Sequence, residues 1–230
     1  MEKTQHPALA AVRAAFPKTL PVLTGYLVLG IAYGVLMQTR GYGVPWVLLM
    51  CCVAYCGSMQ FVAITLLTTA FDPLQAFLMS LMVNARHLFY GVSMLGRYRG
   101  LGAAKGVLIY TLSDETFSIV SSVEPPPDVP RRDFYLAVSL LNYGYWAIGS
   151  VLGAVAGQFI TFNTTGLDFA LTGLFVVLFL EQVTNPENRA SGIIGLVCTA
   201  AALAVFGADN LVIPAMVLVL IVLLLGRKKL

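Results

Sequence analysis

The sequence predicts an all-α fold: a polytopic membrane helical bundle of seven or eight hydrophobic segments. Three observations predict it. The 230 residues are 58% hydrophobic and only 11% charged, where a soluble domain carries roughly 25% charge. Mean hydropathy is +0.83, and no polar stretch is long enough for a soluble domain. Apolar runs recur along the whole chain, several at the ~20 residues one helical span needs.

Residues 1–18 read as a cytoplasmic lead with Lys3, Arg13 and Lys18. Ala8–Phe16 is expected to be an interfacial helix ending before Pro17. Residues 19–226 are expected to form the transmembrane domain, and residues 227–230 a basic tail. In the first span, Thr19–Met37, Gly30 and Gly34 give a small-xxx-small face for close helix approach.

Val44–Phe71 is longer than one untilted span, and Gly57-Ser58-Met59-Gln60 interrupts it. A break frees backbone N–H and C=O groups, which a membrane tolerates only where they are buried in protein or line a cavity. A simple kink, with Ser58 bonded back to its own helix, is the alternative.

Pro73–Leu95 holds the most polar intramembrane stretch: Asn84, Arg86 and His87. A charge at the bilayer centre costs about 2.5–3.5 kcal/mol on insertion scales and usually faces a protein interior or a watery cavity. Asn84 and His87, three apart, share a helix face, while Arg86 lies about 200° from Asn84. The reading gives Asn84 and His87 to a solute site and Arg86 to a structural ion pair with Asp114 or Glu115. A satisfied interhelical hydrogen bond is the alternative for His87. Arg97, Arg99 and Lys105 then form a basic loop of cytoplasmic type.

Val107–Val120 is shorter than a span and carries Asp114 and Glu115 at its middle. Adjacent acids point about 100° apart on a helix, so one can take an ion pair while the other faces a cavity. Ser121–Asp133, rich in proline and charge, reads as an exposed stiff connector. Phe134–Phe159 is a full span with Asn142 in its first half and a packing stripe at Gly149, Gly153 and Gly157. Asp168 opens another short segment, as a site acid or a helix N-cap. Ala190–Phe206 and Leu211–Leu225 are plain final spans.

Basic residues at both ends favour an even number of crossings with a cytoplasmic N-terminus. Eight full crossings put Arg97–Lys105 outside, so at least one segment is expected to be broken. Asn84 with Gly91 and Asn142 with Gly149, each followed by a short acidic segment, suggest an internal repeat.

These features exclude several classes. Net charge is only +3, with basic residues at segment ends, so no nucleic-acid face is expected. No cofactor or metal is expected. Cys51, Cys52, Cys56 and Cys198 lie in apolar runs without the clustered partners zinc requires. No HExxH or other catalytic motif occurs, and a channel fits clustered polar residues less well than a transporter does.

Gly57-Ser58-Met59-Gln60-Phe61, Asn84-Ala85-Arg86-His87-Leu88-Phe89-Tyr90-Gly91, Ser113-Asp114-Glu115-Thr116-Phe117 and Asp168-Phe169-Ala170-Leu171-Thr172-Gly173-Leu174-Phe175 together resemble the AzlC family of branched-chain amino acid exporters. The resemblance covers roughly residues 14 to 226; members usually have leucine where Ala85 stands. It implies export of valine, leucine or isoleucine across a prokaryotic inner membrane, and a small hydrophobic AzlD-type subunit as partner. The candidate substrate-binding residues are then Gly57, Ser58, Met59, Gln60, Asn84, His87, Asp114, Glu115, Asn142 and Asp168, with Phe61, Phe89, Phe117 and Met59 supplying an apolar lining. An exporter of another small solute, or a solute channel, is the alternative.

Overall fold

The computed structural model describes residues 7–70, 72–159, 173, 176, 179–180, 183–184, 186–207 and 211–226. Among these it is all-helical, with nine helices: α1 (Pro7–Thr39), α2 (Val44–Val53), α3 (Gly57–Thr68), α4 (Pro73–Met94), α5 (Ala104–Tyr110), α6 (Asp114–Ser122), α7 (Arg131–Gly157), α8 (Pro186–Phe206) and α9 (Val212–Gly226). Three stretches among the described residues are long and apolar enough to cross a membrane: Pro7–Thr39, Arg131–Gly157 and Arg189–Phe206. The 22-residue α4 is long enough, but Asn84, Arg86 and His87 dilute its apolar content.

The chain divides into two units, one of Met1–Asp72 with Val83–Phe162 and one of Pro73–Met82 with Asn163–Leu230. The first is organised on α1 packed along α7. Gly30 and Gly34 meet Gly149 and Gly153 at this seam. A Cβ on Gly30 would lie 2.9 Å from Ser150 N, one on Gly149 2.8 Å from Tyr26 O, and one on Gly157 2.9 Å from Gln38 Cβ. On Gly34 and Gly153 it would overlap Ser150 O and Ile31 O. Without hydrocarbon contacts to gain from water, membrane helices associate through such close backbone approach. Both glycine stripes are therefore consumed within the chain, against each other.

The helix boundary expected before Pro17 does not occur: α1 runs through Pro17 and Pro21. Proline removes one intrahelical hydrogen bond, but packing outweighs that loss here. Ala11, Ala15 and Thr19 recur at four-residue spacing and are fully buried. Ala11 and Ala15 join a core with Leu108, Val120, Phe134, Tyr135 and Val138, and Thr19 bonds Tyr145 Oη at 3.1 Å. The connector before α7 is also pinned more firmly than its composition suggests. Val129 is buried, Glu124 pairs with Arg97 at 3.0 Å, and Arg131 donates to Arg97 O at 2.8 Å.

The other corrections concern the interrupted segments. Val44–Phe71 is interrupted at Ala54-Tyr55-Cys56, so Gly57–Gln60 is the first turn of α3 rather than the gap itself. Val107–Val120 is two short helices, not one. Asp114 and Glu115 are the first two residues of α6, preceded by Ser113 as N-cap. α5 ends at its C-cap Thr111, and Ser113, whose side chain accepts from the Thr116 N–H, starts α6. In the second unit, α8 ends at Gly207, whose φ of +73° suits a helix stop that lacks a Cβ, and α9 packs against α8.

Candidate functional site

Two helix starts lie close together in the first unit, and one side chain from α4 joins them. Arg86 Nη2 donates to Ser58 Oγ at 2.8 Å, in the first turn of α3. It also pairs with Asp114 Oδ2 at 2.9 Å, in the first turn of α6. Both members of the pair are little more than a third exposed, at 40% and 36%. Arg86 Nε and Asp114 Oδ1 have no hydrogen-bond partner among the described residues.

The two starts are built differently. Ser113 Oγ accepts from Thr116 N at 3.2 Å, capping α6. Cys56, the N-cap of α3, makes no side-chain capping bond. Anions suit the first turn of a helix; α6 brings its own in Asp114 and Glu115, whereas α3 has none.

Glu115 turns away from Arg86 towards α1. Its Oε2 bonds Tyr26 Oη, which lies 2.9 Å from Ser113 Oγ. Ser113 Oγ is 3.0 Å from Thr116 Oγ1, which accepts from Asn142 Nδ2 on α7 at 3.0 Å. An unbroken polar line thus runs from Glu115 through three hydroxyls to Asn142. Asn142 is fully buried and its Oδ1 has no described partner.

One turn along α7, Trp146 Nε1 donates to Gln60 Oε1 at 2.6 Å. Indole nitrogen only donates, which fixes the amide oxygen on the indole side and leaves Gln60 Nε2 buried without a described partner. The Trp146 ring stacks on Tyr33 at 6.0 Å and meets Tyr26 and Phe61 edge-on. It also covers Gly57, where an added Cβ would lie 3.0 Å from the ring.

Ser58, Gln60, Asp114, Glu115 and Asn142 are thus linked through Arg86, Tyr26 and Trp146. His87 is half-buried with Nδ1 unpartnered among the described residues and its ring edge-on to Tyr90. Asn84 is half-buried on α4 and Met59 on α3. Asp168 lies outside the described residues. Of the expected apolar lining, Phe61 is buried and Phe117 stacks on Tyr90 at 4.3 Å, but Phe89 is 72% exposed and turns away.

Tyr26 and Trp146 escaped the sequence reading, and Ser113 and Thr116 entered it only within a family motif, not as site residues. Ser113 was legible as an N-cap before two acids. Trp146 was legible one turn from Asn142. Nothing local distinguishes Tyr26 from the other nine tyrosines in the sequence.

Interrupted helices with a buried polar cluster, set against a tightly packed helix pair, define a helical membrane protein with an internal polar site. The comparisons name its kind. The chain belongs to the AzlC family, whose model, described as "AzlC protein", matches residues 21–160. It is 45% identical over 221 residues to "Branched-chain amino acid transport protein AzlC" of Bacillus subtilis, covering 96% of this chain and 87% of that one. It is 38% identical to an "Uncharacterized membrane protein" of Helicobacter pylori, covering 98% of this chain and 99% of that one. It is 24% identical to "Inner membrane protein YgaZ" of Escherichia coli, covering 92% and 87%. No solved structure matches.

Proposed function

We propose that the chain is a secondary-active, proton-coupled exporter of branched-chain amino acids working by alternating access. The observation that carries this reading is the Arg86 bridge between the first turns of α3 and α6, with donors and acceptors left over around it. The Bacillus subtilis relative, whose printed name gives it branched-chain amino acid transport, supports the substrate class.

A zwitterion needs a donor set, an acceptor set and an apolar wall. Arg86 Nε and the uncapped start of α3 offer donors to the carboxylate, as half-helix N-termini do in other transporters. Glu115, which no cation pairs among the described residues, and Asn142 Oδ1 offer acceptors to the ammonium. Phe61, Phe117 and Trp146 supply apolar surface. Selectivity against smaller side chains is modest on this reading, since one methylene is worth ~1–3 kcal/mol.

The finer architecture belongs to the same proposal: seven or eight segments with half-length helices at a central site, an internal repeat that includes Asp168, and a cytoplasmic N-terminus in a prokaryotic inner membrane. So does a small AzlD-type subunit as partner. With the glycine stripes already spent on the α1–α7 seam, that subunit docks elsewhere.

The test is transport by proteoliposomes with and without the co-purified small subunit, across a panel of amino acids and an imposed pH gradient. Saturable valine, leucine and isoleucine flux with counterflow is expected. Flux of another solute class alone would overturn the substrate assignment, and large unitary currents would replace the transporter with a channel.

A further inference from the structure

We propose that Glu115, and not its neighbour Asp114, takes up and releases the coupled proton, and that Tyr26 is its positioning residue. The assignment rests on the proton-coupled reading above and goes beyond it by dividing the work between two adjacent acids.

The division follows from what each carboxyl touches. Asp114 Oδ2 meets a guanidinium at 2.9 Å. Guanidinium is donor-only and permanently charged. Protonating Asp114 would leave Arg86 without its counter-charge. Glu115 meets a phenol. A hydroxyl donates and accepts, so Tyr26 can donate to the carboxylate, or accept from the acid and turn its own proton to Ser113 Oγ, 2.9 Å away. Both protonation states of Glu115 are hydrogen-bonded without moving a heavy atom. Ser113 and Thr116 continue the same two-way line towards Asn142.

The groups facing Glu115 are consistent with this. Tyr26 faces it from α1, Tyr55 from the link between α2 and α3, and Asp114 from α6 itself, while the Tyr90 phenol of α4 lies chiefly against Asp114 and only secondarily against Glu115. Arg86 and His87 face Asp114 instead. Proton balance is simple: one O–H bond forms on the carboxylate on one side of the membrane and breaks on the other. Because the substrate ammonium is drawn to the same uncompensated carboxylate, proton and amino acid take turns on it, which is the exchange an antiporter needs.

The experiment uses the full chain in vesicles, reading valine counterflow and valine-driven proton flux together, with an infrared titration of protonated-carboxyl bands on the same samples. Glu115→Gln is expected to weaken valine counterflow, since its amide oxygen still accepts from the ammonium but carries no charge, and to lower the proton-to-valine ratio about tenfold or more. Glu115→Asp should restore part of that ratio. Tyr26→Phe removes a donor to the carboxylate and should move the pH profile of transport to higher pH. The protonated-carboxyl band should persist in Asp114→Asn and vanish in Glu115→Gln. A Glu115→Gln protein with a wild-type proton-to-valine ratio, or a band lost in Asp114→Asn alone, would overturn the assignment. Wild-type vesicles that move protons with a different amino acid would correct the substrate and leave Glu115 standing. Wild-type valine flux indifferent to pH would remove the coupling and this assignment with it.

Discussion

The α1–α7 seam and the polar joint formed by the starts of α3 and α6 use similar residues to opposite ends. At the seam, Gly30, Gly34, Gly149 and Gly153 bring two backbones into contact and leave no room for a methyl group. At the joint, Gly57 makes room for an aromatic ring, and nearby buried polar atoms of Gln60, Arg86, Asp114 and Asn142 have no partner among the described residues. Buried polar groups are normally matched, and an unmatched one costs about 1–3 kcal/mol. The two helices of the seam also hold buried atoms without a described partner, Tyr33 Oη, Gln38 Oε1 and Ser139 Oγ, but the glycine contacts themselves close on backbone; at the joint such atoms sit around a charged pair, which a small solute would complete.

Mutations should separate the two regions. Gly34→Val places a branched side chain where even a Cβ would overlap Ser150 O, so the largest effect is expected here: loss of folded protein, seen as a vanished monodisperse peak on detergent size-exclusion chromatography. A well-behaved peak would mean that the seam is not what holds this unit together. Arg86→Ala should leave that peak in place and reduce transport about a hundredfold, because it removes the link between two helix starts and leaves Asp114 uncompensated. Near-normal flux in that protein would reduce the pair to a surface contact. Gly57→Ala is milder, since its Cβ at 3.0 Å from the Trp146 ring displaces a side chain rather than a backbone. A fall in transport of about tenfold with unchanged expression is expected.

Smaller effects sharpen the contrast further. Ser113→Ala removes the cap of α6 and should lower thermal stability by about 1 kcal/mol, read as a modest drop in melting temperature. The same change at Ser58 touches no cap and should cost transport more than stability. Gly91→Ala serves as the baseline. No described residue lies within 4 Å of an added Cβ, and alanine is favoured over glycine in a helix by up to ~1 kcal/mol. A neutral or slightly stabilised protein is expected by the same melting assay.

Much of the helical framework was legible because hydropathy is a local property. The helices α7, α8 and α9 begin and end within a few residues of the apolar runs that predicted them. The small-xxx-small spacings at Gly30/Gly34 and Gly149/Gly153 announced close approach, though not to which helix. The misreadings arose where a local signal met a distant one. Pro17 marks a helix end by its own chemistry, but Ala11, Ala15 and Thr19 are buried on one face and the helix continues. Val107–Val120 reads as one apolar run, yet α5 ends at Thr111 and Ser113 caps the second half. Phe89 belongs by type to an apolar lining, but its position on α4 turns it outward.

The sequence by itself determined that this chain is a set of apolar helices with a few polar residues too costly to leave in lipid, because composition and periodicity are read within a turn or two. Only the tertiary structure decided which of those residues meet. Tyr26 and Glu115 are 89 positions apart, Gln60 and Trp146 86, and helical periodicity is blind at such separations. Two neighbouring acids look alike in sequence. What tells them apart is that one faces a fixed positive charge and the other a hydroxyl, and that difference is made wholly by how α1 and α4 pack around the start of α6.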